Sequence, residues 1–292
     1  MFSGSLVAIV TPLRPDGAVD FAAWGRLLDF HRQNGSNGVV VGGTTGESAT
    51  LTDAELHRLT QEACTQLKGR MTVIAGAGTP STATTVDRVR MLSALPVDGL
   101  LVVTPAYVRP TQEGLYRHFA AVSDASGVPL IAYNVPSRTA VDMLPATVAR
   151  LAQLPRIQGI KEAVPDMARI AELAAGSGER FAVLSGDDAT AREAMRAGAR
   201  GVISVTANIA PQAMADMIAA AARGDDATAQ RIDTLLAPLH RDLFLEANPI
   251  PAKWALAQMG LIGHAIRLPL TELAAEHHAA LLRTLRTVGA LK

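Results

Sequence analysis

Eight short apolar runs recur along the chain, at residues 6–10, 38–41, 71–75, 99–103, 129–133, 156–160, 181–184 and 201–205. Each is followed by a longer stretch rich in alanine, leucine and arginine with helical character. The runs are apolar throughout rather than alternating, the pattern of strands covered on both faces in a parallel sheet. Eight β-then-α units predict an α/β fold, a (β/α)8 TIM barrel. A doubly wound open sheet is the alternative, but eight near-regular units without a central switch point favour closure. From Asp225 the strand signal stops. Helices continue to Lys292, broken at Asn248-Pro249-Ile250-Pro251 and at Arg267-Leu268-Pro269. The expected division is a catalytic barrel over 1–224 and a C-terminal helical domain over 225–292, packed together because no Gly/Ser linker separates them.

Composition narrows the possible partners. The 292 residues are 49% hydrophobic and carry no formal net charge, which gives neither nucleic acid nor an anionic membrane an electrostatic reason to bind. No apolar stretch approaches the ~20 residues that span a bilayer. Residues 6–10 lack the basic flank of a targeting signal. The single Cys64 cannot form an internal disulfide, so a reducing cytoplasm is expected. Asn34-Gly35-Ser36 matches a glycosylation sequon but reads more simply as a turn.

Charge chemistry is unevenly distributed. The chain holds 23 arginines and only four lysines, and Lys161 ends the apolar run Ile157-Gln158-Gly159-Ile160. Arginine stays protonated at ordinary pH, whereas a desolvated lysine can become a nucleophilic amine. Lys161 is therefore either a rim charge, solvated or paired with Glu162, or an imine-forming nucleophile. The other lysines compete poorly: Lys68 lies at a helix end beside Gly69, Lys253 in a C-terminal helix, and Lys292 at the terminus.

In a barrel, catalytic side chains come from the C-terminal ends of strands. The second run leads into Gly42-Gly43-Thr44-Thr45-Gly46-Glu47-Ser48, the fourth into Thr104-Pro105-Ala106-Tyr107, and the fifth ends at Tyr133 before Asn134-Val135-Pro136-Ser137-Arg138-Thr139. The seventh leads into Ser185-Gly186-Asp187-Asp188. Tyr133 is either a rim tyrosine or a proton shuttle, and Thr44 and Tyr107 could extend a relay from it. The glycine-rich loop lacks the lysine of a P-loop, so a small carboxylate held by backbone N–H groups and the hydroxyls of Thr44 and Thr45 suits it better than a nucleotide. The alternative is a plain strand-to-helix turn. Arg138 is either a surface arginine or a fork for a second carboxylate. Asp187-Asp188 reads as a helix N-cap rather than a metal site, and the seven histidines form no ligand pattern. No metal and no cofactor are expected.

These residues resemble the dihydrodipicolinate synthase family of pyruvate-dependent class I aldolases, which includes N-acetylneuraminate lyase. The likeness runs from Gly4-Ser5-Leu6-Val7-Ala8-Ile9-Val10-Thr11-Pro12 to Asn248-Pro249-Ile250-Pro251. It is strongest at Gly43-Thr44-Thr45-Gly46-Glu47-Ser48, Tyr133-Asn134-Val135-Pro136-Ser137-Arg138-Thr139, Gly159-Ile160-Lys161-Glu162 and Leu184-Ser185-Gly186-Asp187-Asp188. The resemblance implies a homotetrameric lyase of lysine (diaminopimelate) biosynthesis that condenses pyruvate with L-aspartate 4-semialdehyde. It assigns the imine to Lys161 and the proton relay to Tyr133, Thr44 and Tyr107, with Tyr107 reaching across a subunit interface. Thr45 would contact the pyruvate carboxylate, Arg138 the semialdehyde carboxylate, and Gly186 and Ile203 would line the site with backbone. Arg138 and Thr44 favour the synthase over sister lyases acting on sugar acids. A sister aldolase with another acceptor, and a non-catalytic carboxylate-binding barrel, are the rival readings.

Two departures bear on regulation. The family often has two adjacent tyrosines in the fourth loop, and here the first is Ala106. Lysine-inhibited members bind the inhibitor with a histidine, an asparagine and a glutamate where this chain has Leu56, Pro80 and Thr84, although Ser48 and Ala49 remain. The groups that would meet the charged ends of L-lysine are missing, so feedback inhibition should be weak or absent. A steady-state assay with added L-lysine checks this, and half-inhibition at sub-millimolar concentration would overturn it.

Overall fold

A computed structural model describes residues 2–291 apart from 177 and 179; Lys292 lies outside them. Eight parallel strands close into a barrel in sequence order: β1 (Gly4–Ala8), β2 (Gly38–Val41), β3 (Thr72–Gly76), β4 (Gly99–Val103), β5 (Leu130–Asn134), β6 (Ile157–Glu162), β7 (Ala182–Ser185) and β8 (Gly201–Ser204). β1 closes the ring by pairing with both β2 and β8. The expected barrel is thus present, with several strand ends shifted by one or two residues, most at β1 and β6. β1 starts and ends two residues early, because Val10 N–H turns to the side chain of Asn208 instead of a strand. β6 runs past Ile160 to include Lys161 and Glu162.

Alternation along each strand divides the apolar side chains into two cores. Leu6, Ala8, Val40, Ile74, Leu101, Ile131, Tyr133, Leu184 and Ile203 fill the interior, with Phe2 closing the N-terminal end. The Phe2 ring passes so near Gly99 that a Cβ there would sit 2.5 Å from it, and glycine is what lets the plug seat. Val39, Val73, Leu100, Val102, Leu130, Ile160, Val183 and Val202 face outward onto the helices. Helix Asp53–Leu67 shows how these are made. Thr52 and Glu55 form a reciprocal capping box at its start, and Leu56, Leu59, Ala63 and Leu67 recur at helical spacing to bury one face.

After β8 and helix Pro211–Ala222, helices Asp226–Asp242, Ile250–Gln258 and Ala275–Thr287 complete the chain. Their buried residues, among them Leu236, Leu239, Trp254, Leu256, Leu281 and Leu285, belong to the same outer core as the barrel helices. No helix among the described residues is long and apolar enough to cross a membrane.

His31, His118 and His240 are buried in this outer layer, and burial depresses the first two well below the ordinary histidine value. His31 bonds Ser36 through Nδ1, His118 bonds Thr82 through Nδ1, and neither Nε2 has a partner among the described residues. Burial lowers His31 from 6.5 to about 3 and His118 from 6.5 to about 4. Both stay neutral in the fold, while the unfolded chain takes up a proton at each below its ordinary value. Their contribution to stability is complete above pH 6.5 and is lost as pH falls toward those folded values. Each should remove about 1.4 kcal/mol per pH unit in that window. Denaturant titrations at a series of pH values should show stability falling before the carboxylates titrate. A folded His31→Gln variant should show a shallower slope; an unchanged slope refutes the assignment.

Candidate active site

β5 and β6 carry the centre of the site. Their ladder pairs Leu130 with Ile157, then slips so that Ile131 meets Gly159, Tyr133 meets Lys161 and Asn134 meets Glu162. The slip leaves Gln158 as an extra residue, a β-bulge. Ile157 faces the outer core. Lys161, four residues later, would share that face if the strand alternated regularly. The bulge turns Lys161 inward beside Tyr133 and sends Glu162 outward.

Lys161 is 6% exposed, with its Nζ 4.4 Å from the centroid of the Tyr133 ring. Among the described residues no carboxylate forms an ion pair with it, so the pairing with Glu162 considered from sequence does not occur. Glu162 instead accepts hydrogen bonds from Asn134 Nδ2 at 3.0 Å, Val164 N at 2.9 Å and Arg169 Nε at 2.9 Å. Burial pushes its carboxyl above the usual value, opposed by Val164 N–H and Arg169. Arg169 also donates to both oxygens of Asp142 and to Met143 O, and Asn134 Oδ1 accepts from Met143 N. The residue after each inward group is thus locked on the outside.

A cavity of about 130 Å³ opens above Lys161 and is lined by Thr44, Thr45, Tyr133, Arg138, Gly186 and Asn248, among others. The loop after β2 is wound tightly: Gly43 O accepts from Gly46 N and Ser48 N, Thr44 O accepts from Glu47 N, and Thr11 Oγ1 donates to Gly46 O. Those N–H groups are committed to the turn, while the N–H groups of Thr44 and Thr45 meet no acceptor among the described residues. Thr45 Oγ1 accepts from Asn248 Nδ2 at 2.9 Å, and Arg138 Nη2 donates to Asn248 O at 3.2 Å. Gly186 comes so close to β6 that a Cβ would lie 2.9 Å from the Ala163 Cβ, and its N–H donates to Glu162 O. Glycine at this point is what lets the chain after β7 pack this closely on the end of β6.

Six of the eight expected site residues meet at this cavity; two do not. Tyr107 is 91% exposed in a left-handed conformation, and its N–H donates to Thr139 O. It is not part of the cavity wall. Ile203 is buried in the interior core and is not part of the cavity wall. The acidic pair is also corrected. The N-cap of the helix after β7 is Thr190, not an aspartate. Asp187 accepts from Thr190, and Asp188 accepts from the N–H groups of Val205 and Thr206 after β8.

Sequence reasoning does not single out Asn248, which reads as a helix breaker and the end of the family likeness, or Lys253, which reads as an ordinary lysine of a C-terminal helix. Lys253 is 2% exposed and ion-paired with the equally buried Glu47. Burial pushes its ammonium below the ordinary lysine value, against the pull of Glu47. Glu47 itself sits at φ +58°, a conformation that costs an L-residue about 1 kcal/mol or more. The composition held the signal, since Lys253 was another of the rare lysines. A wider groove of about 560 Å³ between Leu13, Pro15 and residues 263–272 is lined mainly by apolar groups, and the convergent polar chemistry lies in the smaller cavity. One buried amine, a phenol against it, open N–H donors and a guanidinium suit imine formation with a carboxylate-bearing ketone.

A family model described as the dihydrodipicolinate synthetase family matches residues 1–288. The chain is 52% identical to the 4-hydroxy-tetrahydrodipicolinate synthase of Alkalilimnicola ehrlichii over 291 residues, and 50% identical to that of Pseudomonas aeruginosa over 291, covering 100% of every chain. Among solved structures, the chloride-inhibited dihydrodipicolinate synthase of Acinetobacter baumannii complexed with pyruvate matches with a TM-score of 0.98 at 45% identity, over 100% of both chains. A monomeric dihydrodipicolinate synthase variant matches at 0.97 and 39% identity, over 99% of this chain and 98% of that one. Matched end to end in sequence and in backbone, with its inward lysine and tyrosine in register, the chain belongs to the dihydrodipicolinate synthase family.

Proposed function

We propose that this enzyme condenses pyruvate with L-aspartate 4-semialdehyde through a Schiff base on Lys161, as a lyase of lysine (diaminopimelate) biosynthesis. The observation that carries the assignment of Lys161 is its inward, buried position with no anionic partner among the described residues, while the buried Lys253 is ion-paired with Glu47. An inward lysine with no ion pair leaves its Nζ open to an incoming carbonyl, as imine formation requires.

Lys161 Nζ attacks the ketone carbon of pyruvate to give a carbinolamine, which loses water to give the imine. Loss of a methyl proton gives the enamine, whose carbon attacks the aldehyde carbon and forms the new C–C bond while the aldehyde oxygen takes a proton. The amino group of the acceptor then attacks the imine carbon, closing the ring and releasing Lys161. Tyr133, against the amine, is placed to move protons during carbinolamine formation and dehydration, with Thr44 on the same wall. The open N–H groups and hydroxyls of Thr44 and Thr45 hold the pyruvate carboxylate, and Arg138 at the mouth holds that of the acceptor. Gly186 contributes bare backbone to the wall. In this reading Ile203 supports the site from within the barrel.

Tyr107 completes the relay from a neighbouring subunit in a homotetramer. Its exposure, together with that of the adjacent Val108, supports an interface there. A cytoplasmic location fits the single, buried, unpaired Cys64.

Pyruvate with borohydride should fix a reduced adduct on the peptide containing Lys161, read by mass spectrometry; an unmodified Lys161 refutes the mechanism. Lys161→Arg should abolish turnover and trapping. Tyr133→Phe should lower kcat by about 10²–10⁴-fold. Thr45→Val should raise the KM for pyruvate roughly tenfold, the effect of losing about 1.4 kcal/mol of binding.

A further inference from the structure

A chain that prefers arginine so strongly keeps a lysine at 253, where it takes no part in imine chemistry and is almost fully enclosed. Lys253 Nζ pairs with one oxygen of Glu47; the other oxygen accepts from Arg267 N at 3.1 Å. The Arg267 guanidinium is itself turned away, to Gly17 O, Thr50 O and Glu55. Glu47 follows Thr44-Thr45-Gly46, donates its N–H to Thr44 O at 3.1 Å and accepts from Thr50 N at 2.9 Å. Its left-handed φ of +58° is one that a side-chain-bearing residue rarely adopts. The helix that supplies Lys253, Ile250–Gln258, begins beside Asn248, which donates to Thr45 Oγ1. The C-terminal segment therefore grips the loop after β2 on both sides of Gly46.

A buried ion pair is a weak device for stability, since desolvation of two charges offsets their attraction and a packed apolar pair often serves as well. It is well suited to holding one geometry. We propose that Lys253 and Glu47 are positioning residues for the carboxylate cradle: their pair holds the 44–47 turn so that the N–H groups and hydroxyls of Thr44 and Thr45 face pyruvate beside Lys161. This rests on the assignment of the pyruvate carboxylate to Thr44 and Thr45. A compact ammonium on a thin stem fits the enclosed contact, whereas a planar guanidinium with five donors does not, which accounts for lysine here.

The test is steady-state kinetics in both substrates, with thermal unfolding, on Lys253→Met, the double variant Glu47→Gln/Lys253→Met, Lys253→Arg and Thr45→Val. Lys253→Met strands a buried carboxylate and should lower Tm. The double variant removes both charges and should recover Tm, yet keep a pyruvate KM raised roughly tenfold. Its kcat and aldehyde KM should stay within about twofold of the parent enzyme. Lys253→Arg should fail to restore the pyruvate KM. A double variant with recovered Tm and an unaltered pyruvate KM overturns the proposal and leaves the pair purely structural. If the double variant does not fold, a folded Lys253→Arg enzyme with an unaltered pyruvate KM overturns it equally. An unaltered pyruvate KM in Thr45→Val refutes the cradle itself; a raised KM there beside an unaltered double variant refutes only the positioning role.

Discussion

The register between β5 and β6 is the constraint on which the site depends. In a closed barrel each strand offers alternate residues to the interior, and one residue of slip exchanges the two sets. Gln158 supplies that slip. Before it, Ile157 faces the helices; after it, Ile160 does so again, three residues on instead of two or four. Regular alternation would put Lys161 among the outer helices and Glu162 in the interior. The bulge exchanges them, so an amine faces the cavity and the carboxylate meets Arg169. Bulges beside active sites commonly re-aim a side chain in this way.

A slip of this kind must be held, and the outer face holds it. Asn134 and Glu162 are partners in the ladder directly after Tyr133 and Lys161, and their side chains bond each other on the outside. Arg169 joins Glu162 to Asp142, and Met143 closes the circuit through both its N–H and its carbonyl. Buried polar networks are costly when partly satisfied and rigid when complete. Every oxygen of Glu162 has a donor here, so the network fixes the two strand ends relative to each other. Tyr133 and Lys161 inherit that rigidity without bonding to it.

Much of this was legible in the residue order. Eight apolar runs gave the barrel because parallel strands under helices leave a periodic apolar signal, and strand ends gave Lys161, Tyr133, Thr44, Thr45, Arg138 and Gly186 because the fold puts chemistry there. The bulge left no local mark: Gln158-Gly159 reads as part of an ordinary strand, and only pairing with β5 reveals the extra residue. Asn248 and Lys253 were illegible for a different reason. Each acts on a partner about two hundred positions away, with separations of 203 and 206, and no periodicity reports such contacts. Tyr107 is exposed because the chain by itself offers it nothing to pack against.

The scarcity of lysine now divides into two physical cases. Lys161 and Lys253 are both enclosed. What distinguishes them is the neighbour. Glu47 supplies Lys253 with a counter-charge, making it a fixed strut between the C-terminal helices and the loop after β2. Among the described residues Lys161 has no ion pair and lies over the face of Tyr133, which attracts a cation weakly and suits the imine role proposed for it. A planar guanidinium with five donors is not interchangeable with a compact ammonium at either place. On the proposed assignments, the same preference for lysine serves both the reacting atom and the frame that presents its substrate.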